Sequence, residues 1–280
     1  MFITRLISGA VLLILSFTFI YFGGYALAGI CFLLSVTAYH EMMKALHKGD
    51  RNYNNALSIF GYIAITVYYL LLAFTNSSSL LCMTVVFAII IFLTIYVVAF
   101  PKFVVEDVMG SIFAFVYAPL MLSFVYLTRE LTNGSYIVWM IFIASWGYDT
   151  CAYCVGMLTG KTIGNHKCFP KLSPKKSWEG LIGGIIGAAL IAWLYGHFYM
   201  GVKVTDIPNL EWLLAIIAAL GAFIAQIGDL AASAVKRNKD IKDYGNCIPG
   251  HGGVLDRFDS MIFTAPITYF LAELLLNSIH

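Results

Sequence analysis

The sequence predicts an all-α polytopic membrane protein of about nine transmembrane helices, with a cytoplasmic N-terminus and a C-terminus outside. Three observations predict it. Hydrophobic residues fill 60% of the 280 positions and charged residues only 11%, and the mean hydropathy of +0.84 excludes a soluble globular chain. The apolar residues gather into runs close to the ~20 residues that a helix needs to cross a bilayer. Lysine and arginine fall almost wholly into alternate loops between those runs.

The predicted spans are residues 6–22, 25–39, 56–74, 80–100, 110–128, 135–158, 181–200, 212–230 and 258–276. Only Gly23 and Gly24 part the first two. They read as separate helices, because a fused run at ~1.5 Å per residue exceeds the ~30 Å hydrocarbon core. Arg5 ahead of an apolar stretch resembles a signal peptide, but no small-residue cleavage site follows and the chain goes on crossing, so the segment reads as retained.

With nine spans, Arg5, Lys44, Lys48, Arg51, Lys102, Lys161, Lys167, Lys171, Lys175, Lys176, Lys236, Arg237, Lys239, Lys242 and Arg257 share the face of the N-terminus, against Arg129 and Lys203 on the other. That asymmetry makes the basic face cytoplasmic, and fusing the first two spans would move Arg5 alone. The formal net charge of +2 hides it. A basic cytoplasmic face suits anionic lipid headgroups and nucleotides. Isolated cations such as Lys44 and Lys102 read as topology signals; the clustered ones are candidates for chemistry.

Two regions follow: residues 1–129, a transmembrane scaffold of about five spans, and residues 130–280, a catalytic region of about four spans with basic cytoplasmic loops at 159–180 and 231–257. In the first, little chemistry is evident. Glu41, Lys44 and Lys48 stand at helical spacing, so residues 40–55 read as a short amphipathic helix on the membrane surface.

In the sixth span Asp149 lies roughly 13 Å below the end at Leu158, with Tyr153 one turn later. Hydrogen bonds from neighbouring tyrosines would explain such an Asp structurally, but a carboxylate at that depth favours a substrate or metal role. The following loop holds five lysines and one glutamate, and Pro170 and Pro174 keep it from becoming a long helix. Residues 156–162 resemble a Walker A loop but have three residues between the glycines, not four, and follow a membrane helix rather than a strand; that reading is rejected. Gly180, Gly183, Gly184 and Gly187 make two Gly-x-x-x-Gly pairs that let the seventh span pack closely on a helix of the site. Cys151 and Cys154, with His166, Cys168, Cys247 and His251, invite a zinc reading, but the first two sit inside a membrane helix and read as packing. The later cysteines lie toward the reducing side, so disulfides are not expected.

The chain's most polar stretch is 233–259, with nine charges in 27 residues. A solvated loop is the plain alternative, and three features argue against it. Pro249-Gly250-His251-Gly252-Gly253 is a stiff turn with little side chain, where backbone N–H groups can approach an anion. Asp256 and Asp259 share one helical face, and Asp229 ends the preceding apolar run. Carboxylates at a membrane margin are costly unless paired or bound to metal. Oxygen donors without a His or Cys shell favour Mg²⁺, as one or two ions, with a second, different cation conceivable.

The run Ser233, Lys236, Arg237, Lys239, Asp240, Pro249 to Gly253, Asp256, Arg257, Phe258 and Asp259 resembles that of the CDP-diacylglycerol synthases, or phosphatidate cytidylyltransferases. Ser173-Pro174-Lys175-Lys176-Ser177-Trp178-Glu179-Gly180 is similar to a second block of that family, with Ser177 where Thr is commoner, and Asp149-Thr150-x-Ala152-Tyr153 with Gly156 to a third. The resemblance covers 145–259 and implies attack by the phosphatidate phosphate on the α-phosphorus of CTP, releasing pyrophosphate. Asp149, Asp229, Asp256 and Asp259 would be catalytic and hold the metal. Lys167, Ser173, Lys175, Lys176, Ser233, Lys236, Arg237, Lys239, Asp240, His251, Gly252, Gly253 and Arg257 would meet the substrates. The expected partners are CTP, phosphatidate and membrane lipids, not nucleic acid, with a homodimer left open. The expected location is the cytoplasmic membrane, with the site facing the cytoplasm. Two alternatives remain: a CTP-dependent polyprenol kinase, and a cation-coupled transporter, against which the absence of an internal repeat argues.

Overall fold

A computed structural model describes residues 2–47, 55–75, 77–162, 164, 166–205 and 207–276, with side chains from residue 8 onward. The protein is an all-α multi-pass membrane protein. Seven helices among the described residues are long and apolar enough to cross a bilayer. They are α2 (Gly24–Leu46), α3 (Ala56–Phe74), α4 (Ser78–Val98), α5 (Val105–Glu130), α7 (Trp178–Lys203), α8 (Leu210–Asn238) and α9 (Leu255–Leu276). Two further expected spans take other forms. The first is α1 (Phe2–Phe22), whose described apolar part is the shorter Ser8–Phe22. The sixth is broken into short turns, Gly134–Ile137 and Trp139–Phe142, a π-helical stretch Ile143–Gly147, and α6 (Tyr148–Thr162).

The chain forms two compact units. One comprises residues 1–126 and 239–257; the other comprises 127–238 and 258–280. In the first unit, Gly23 and Gly24 at φ of 62° and 50° end α1 and restart the chain as α2, so the first two apolar runs are two helices. Helix α3 starts where the Asn55 side chain accepts the Ser58 N–H at 3.1 Å. The first turn of α5 is held by Asp107, whose carboxylate accepts the Val104 N–H at 3.0 Å and pairs with His47 at 3.6 Å. Pro119, lacking an N–H, sits in a π-helical turn of α5, and its carbonyl accepts the Tyr69 hydroxyl at 3.2 Å. Tyr39, Met42, Met43, Leu57, Ile65, Phe92 and Phe115 form the core of this unit. Helix α4 buries only Ala88 and Phe92 and turns the rest of its apolar surface outward, as suits a helix facing lipid.

This unit corrects the expected surface helix at 40–55. Residues 40–46 continue α2 into the core, and Glu41 is 2% exposed with Met42 and Met43 fully buried beside it. Residues 48–54, Lys48 among them, lie outside the described residues.

In the second unit α7 packs against both α6 and α8. The Gly-x-x-x-Gly face is the reason for the α6 contact. A Cβ on Gly183 would stand 2.5 Å from the Val155 side chain, and one on Gly187 2.6 Å from Cys151. Helices α8 and α9 approach as closely, since a Cβ on Gly228 would meet the Asp259 carbonyl at 2.7 Å. Tyr148, Ala188, Ala222 and Ala225 make a core of small residues around one tyrosine, and Met140, Met200, Leu210, Leu214 and Ile217 belong to a larger cluster. Helix α8 continues to Asn238, so residues 231–238 of the expected 231–257 loop are helical. The 159–180 loop contains a hairpin of β1 (Lys167–Phe169) and β2 (Ser173–Ser177). Pro170 falls in its turn, and Pro174 is tolerated because every strand of a hairpin is an edge. Residues 156–162 are the end of α6, with no strand ahead of them.

Candidate active site

In the second unit, α6, β2, α7 and α8 line a half-open cavity of about 380 Å³. Its wall includes Tyr148, Asp149, Tyr153, Lys175, Lys176, Ser177 and Gln226 together with apolar Ala152, Met157 and Leu181. Each side chain has a local reason to be there. The π-helical stretch before α6 puts Asp149 in that helix's first turn, exposed on the cavity wall. Ser177 is the N-cap of α7, its hydroxyl accepting the Gly180 N–H at 3.2 Å, which fixes Lys175 and Lys176 just ahead of the helix start. Gln226 and Asp229 follow one another on α8 three residues apart.

Lys176 links these elements. Its ammonium forms an ion pair with Asp229 and donates to the Gln226 side-chain oxygen at 2.9 Å. The buried Tyr148 hydroxyl donates to the same oxygen at 2.5 Å. Because lysine can only donate, the amide orientation of Gln226 is set by chemistry, with its oxygen toward Lys176 and its Nε2 away from it. The Ser233 hydroxyl reaches Asp229 at 3.5 Å. Asp149 and Asp259 both lie within the electrostatic reach of Asp229, and Lys236 within that of Asp259. Asp259 also accepts the Ser260 N–H at 2.8 Å. Lys167, Lys175 and Arg237 are exposed, and Ser173 is half-buried in β2.

The unit thus brings Asp149, Lys176, Asp229, Lys236 and Asp259 into one electrostatic neighbourhood. Gln226, which the sequence reading passed over, joins them. Among the described residues, no three carboxylate, imidazole or thiol side chains are placed together so as to hold a metal ion by themselves. The donor chemistry nonetheless fits a hard divalent ion: the acidic groups are all carboxylates, and phosphate oxygens and water would complete the coordination. All six cysteines are free.

In the first unit the segment 239–257 forms a tight, cross-tied loop. Gly250 and Gly252 turn it at φ of 76° and 84°, with Ile248 N–H donating to the Gly252 carbonyl at 2.9 Å and His251 N–H to the Ile248 carbonyl at 2.9 Å. Asp256 accepts the N–H groups of Tyr244 at 2.8 Å and Gly253 at 3.0 Å on one oxygen. The Gly253 N–H, expected to face phosphate, is therefore given to Asp256. His251 Nδ1 meets the Ser8 hydroxyl at 2.6 Å, and Arg257 Nε donates to the His251 carbonyl at 2.8 Å. Lys239 donates to the Leu46 carbonyl at the end of α2, 2.9 Å away, and Asp240 takes a left-handed turn at φ 49°. Glu41, read from the sequence as a surface residue, accepts the N–H groups of Val254 at 3.0 Å and Leu255 at 2.9 Å.

The cytidylyltransferase family model matches residues 3–275. Among curated proteins the chain is 40% identical over 174 residues to a phosphatidate cytidylyltransferase of Rickettsia bellii, covering 61% of this chain and 72% of that protein. It is 37% identical over 189 residues to one of Bacillus subtilis, covering 67% and 66%. A Haemophilus influenzae protein of the same name is 37% identical over 161 residues, covering 58% and 53%. These alignments span only part of each relative, but the family model runs through both compact units, and the chain belongs to the cytidylyltransferase family.

Proposed function

We propose that this protein transfers the cytidylyl group of CTP to phosphatidate, giving CDP-diacylglycerol and pyrophosphate at the cytoplasmic face of the membrane. The observation that carries this reading is the cavity that combines the Lys175–Lys176 pair and Asp149 with apolar walls, beside Asp229. Such a lining suits a phosphate-bearing ligand with an apolar portion. The curated relatives, all named phosphatidate cytidylyltransferase, support the same substrates. The basic loops favour the cytoplasmic side.

In this reading an oxygen of the phosphatidate phosphate attacks the α-phosphorus of CTP. The bond to the bridging oxygen of the β-phosphate breaks, and pyrophosphate leaves with the electron pair. The attacking oxygen is already anionic, so no protein nucleophile or strong base is required. Lys175 and Lys176 offset the phosphate charge, and Lys236 and Arg237 at the end of α8 add to it. Asp149, Asp229 and Asp259 would hold Mg²⁺, and the resemblance adds Asp256, one turn before Asp259 on α9. Mg²⁺, when bound, would neutralise the triphosphate and the departing pyrophosphate. Tyr148 and Gln226 hold Lys176 in place.

The test is purified protein with labelled CTP, phosphatidate and Mg²⁺. CDP-lipid with pyrophosphate supports the proposal. Lipid phosphate with CDP from a polyprenol acceptor would assign the chain to the kinase alternative, and no consumption of CTP would overturn both.

A further inference from the structure

Glu41 is a carboxylate in a membrane-spanning helix with almost no exposure, so its retention requires compensation. The compensation comes from far along the chain. Its two oxygens accept the consecutive backbone N–H groups of Val254 and Leu255, 213 and 214 residues away, where α9 begins. First-turn N–H groups have no partner within their own helix, and a carboxylate is the favoured acceptor at that end. The fit is close on both limbs of the loop. A Cβ on Gly245 would lie 2.4 Å from a Glu41 oxygen, and one on Gly253 2.5 Å, so a side chain at either position would push the carboxylate from this place.

Asp256 ties the same two limbs, taking N–H groups from Tyr244 and Gly253. Gly253 is therefore flanked by both carboxylates: its N–H goes to Asp256, and its Cα side faces Glu41. Lys239 anchors the beginning of the segment to the Leu46 carbonyl of the helix that carries Glu41. Helix α2 thus holds this loop at its beginning and at its end. Nothing in these contacts requires Glu41 to meet a substrate.

We infer that Glu41 is a positioning residue: from helix α2 it fixes the 244–256 loop and, through that loop, the carboxylate of Asp256 for reaction. The inference rests on the reading that Asp256 serves the metal and phosphates. Replacement by glutamine keeps one acceptor but presents an amide N–H to a backbone N–H, so one of the two ties is lost. Alanine loses both.

The experiment uses the full-length protein in lipid nanodiscs, as wild type, Glu41→Gln and Glu41→Ala. Hydrogen exchange of the peptide covering 244–256 is followed beside peptides of α7, and kcat, KM for CTP and the Mg²⁺ concentration for half-activation are measured. The expected result in Glu41→Gln is exchange about tenfold faster at 253–255 with α7 unchanged. A kcat about tenfold lower, KM for CTP within about twofold and a raised Mg²⁺ requirement should accompany it. A purely structural role would instead loosen α7 as well and lower kcat only in step with the folded fraction. Wild-type exchange at 253–255 in Glu41→Gln, or faster exchange with unchanged kcat and Mg²⁺ requirement, overturns the inference. If Glu41→Ala does not fold, the near-isosteric glutamine variant carries the test. The exchange arm needs no turnover, so a wild-type protein that makes no CDP-lipid would defeat the functional reading while leaving the loop's dependence on Glu41 measurable.

Discussion

The ammonium of Lys176 is paired with the carboxylate of Asp229 while donating to the side chain of Gln226 one turn earlier on the same helix. The pair is partly buried, with side-chain exposures of 23% and 30%. In the proposed reaction Lys176, already on the cavity wall, would turn its charge to a phosphate. Lys176→Met should therefore lower kcat/KM by about a hundredfold, the scale of losing one preorganised charge contact to a transition state. Lys175→Ala, exposed on the same wall, should chiefly raise the KM for CTP or phosphatidate. Steady-state kinetics on both variants checks this. Equal effects on kcat would remove the distinction between them.

The carboxylates should separate by the task each performs. Asp229→Asn and Asp259→Asn are expected to cut turnover by about a thousandfold or more while the protein remains folded and inserted. EDTA should silence the wild type, and Mg²⁺ should restore it. Asp256→Asn should also abolish turnover, and in addition speed hydrogen exchange at Tyr244 and Gly253, whose N–H groups its side chain accepts. Near-normal activity in Asp256→Asn would take that residue out of the metal shell.

Much of this was legible in residue order, for physical reasons. Apolar runs announce spans, and four glycines on one face of residues 180–187 announce a close neighbour, which proves to be α6. Asp149 and Asp229 stood out because a charge in oil is rare. Glu41 did not, because its spacing to Lys44 mimics an amphipathic surface helix while its real partners lie more than 200 residues away. Gln226 was hidden for a similar reason: an uncharged amide inside an apolar run reads as a helix contact until Lys176 and Tyr148 are seen to converge on it. The extension of α8 to Asn238 was obscured by its charged end, where lysine and arginine read as loop though they suit a helix C-terminus.

Impermeant maleimide offers a check on sidedness that depends on no activity. Cys168 in β1 and the exposed Cys247 should be labelled only from the cytoplasmic side of oriented vesicles. Their thiols are raised above the ordinary range, by burial first and next by the neighbouring Glu179 and Glu41 carboxylates respectively. The reactive thiolate is therefore scarce at neutral pH, and labelling of both should accelerate as pH rises through and beyond the usual thiol range. Labelling from the opposite face would reverse the proposed orientation.

The contact between α8 and α9 admits the sharpest structural test. A Cβ at Gly228 would lie 2.7 Å from the backbone carbonyl of Asp259 and 3.0 Å from the Phe263 ring. A carbonyl in a helix cannot swing aside as a side-chain tip can, so Gly228→Ala must push the two helices apart. The expected cost is about 1–3 kcal/mol, the usual range for overpacking a tight contact. The displacement falls on the residue that carries a candidate metal ligand, so kcat should fall along with the thermal midpoint, and more Mg²⁺ should be needed for half-activation. Gly29→Ala is the control: nothing lies within 4 Å of its Cβ position, and alanine favours the helix, so stability should hold or rise slightly. If Gly228→Ala keeps both its wild-type midpoint and its wild-type Mg²⁺ requirement, close apposition of these two helices is not what places Asp259.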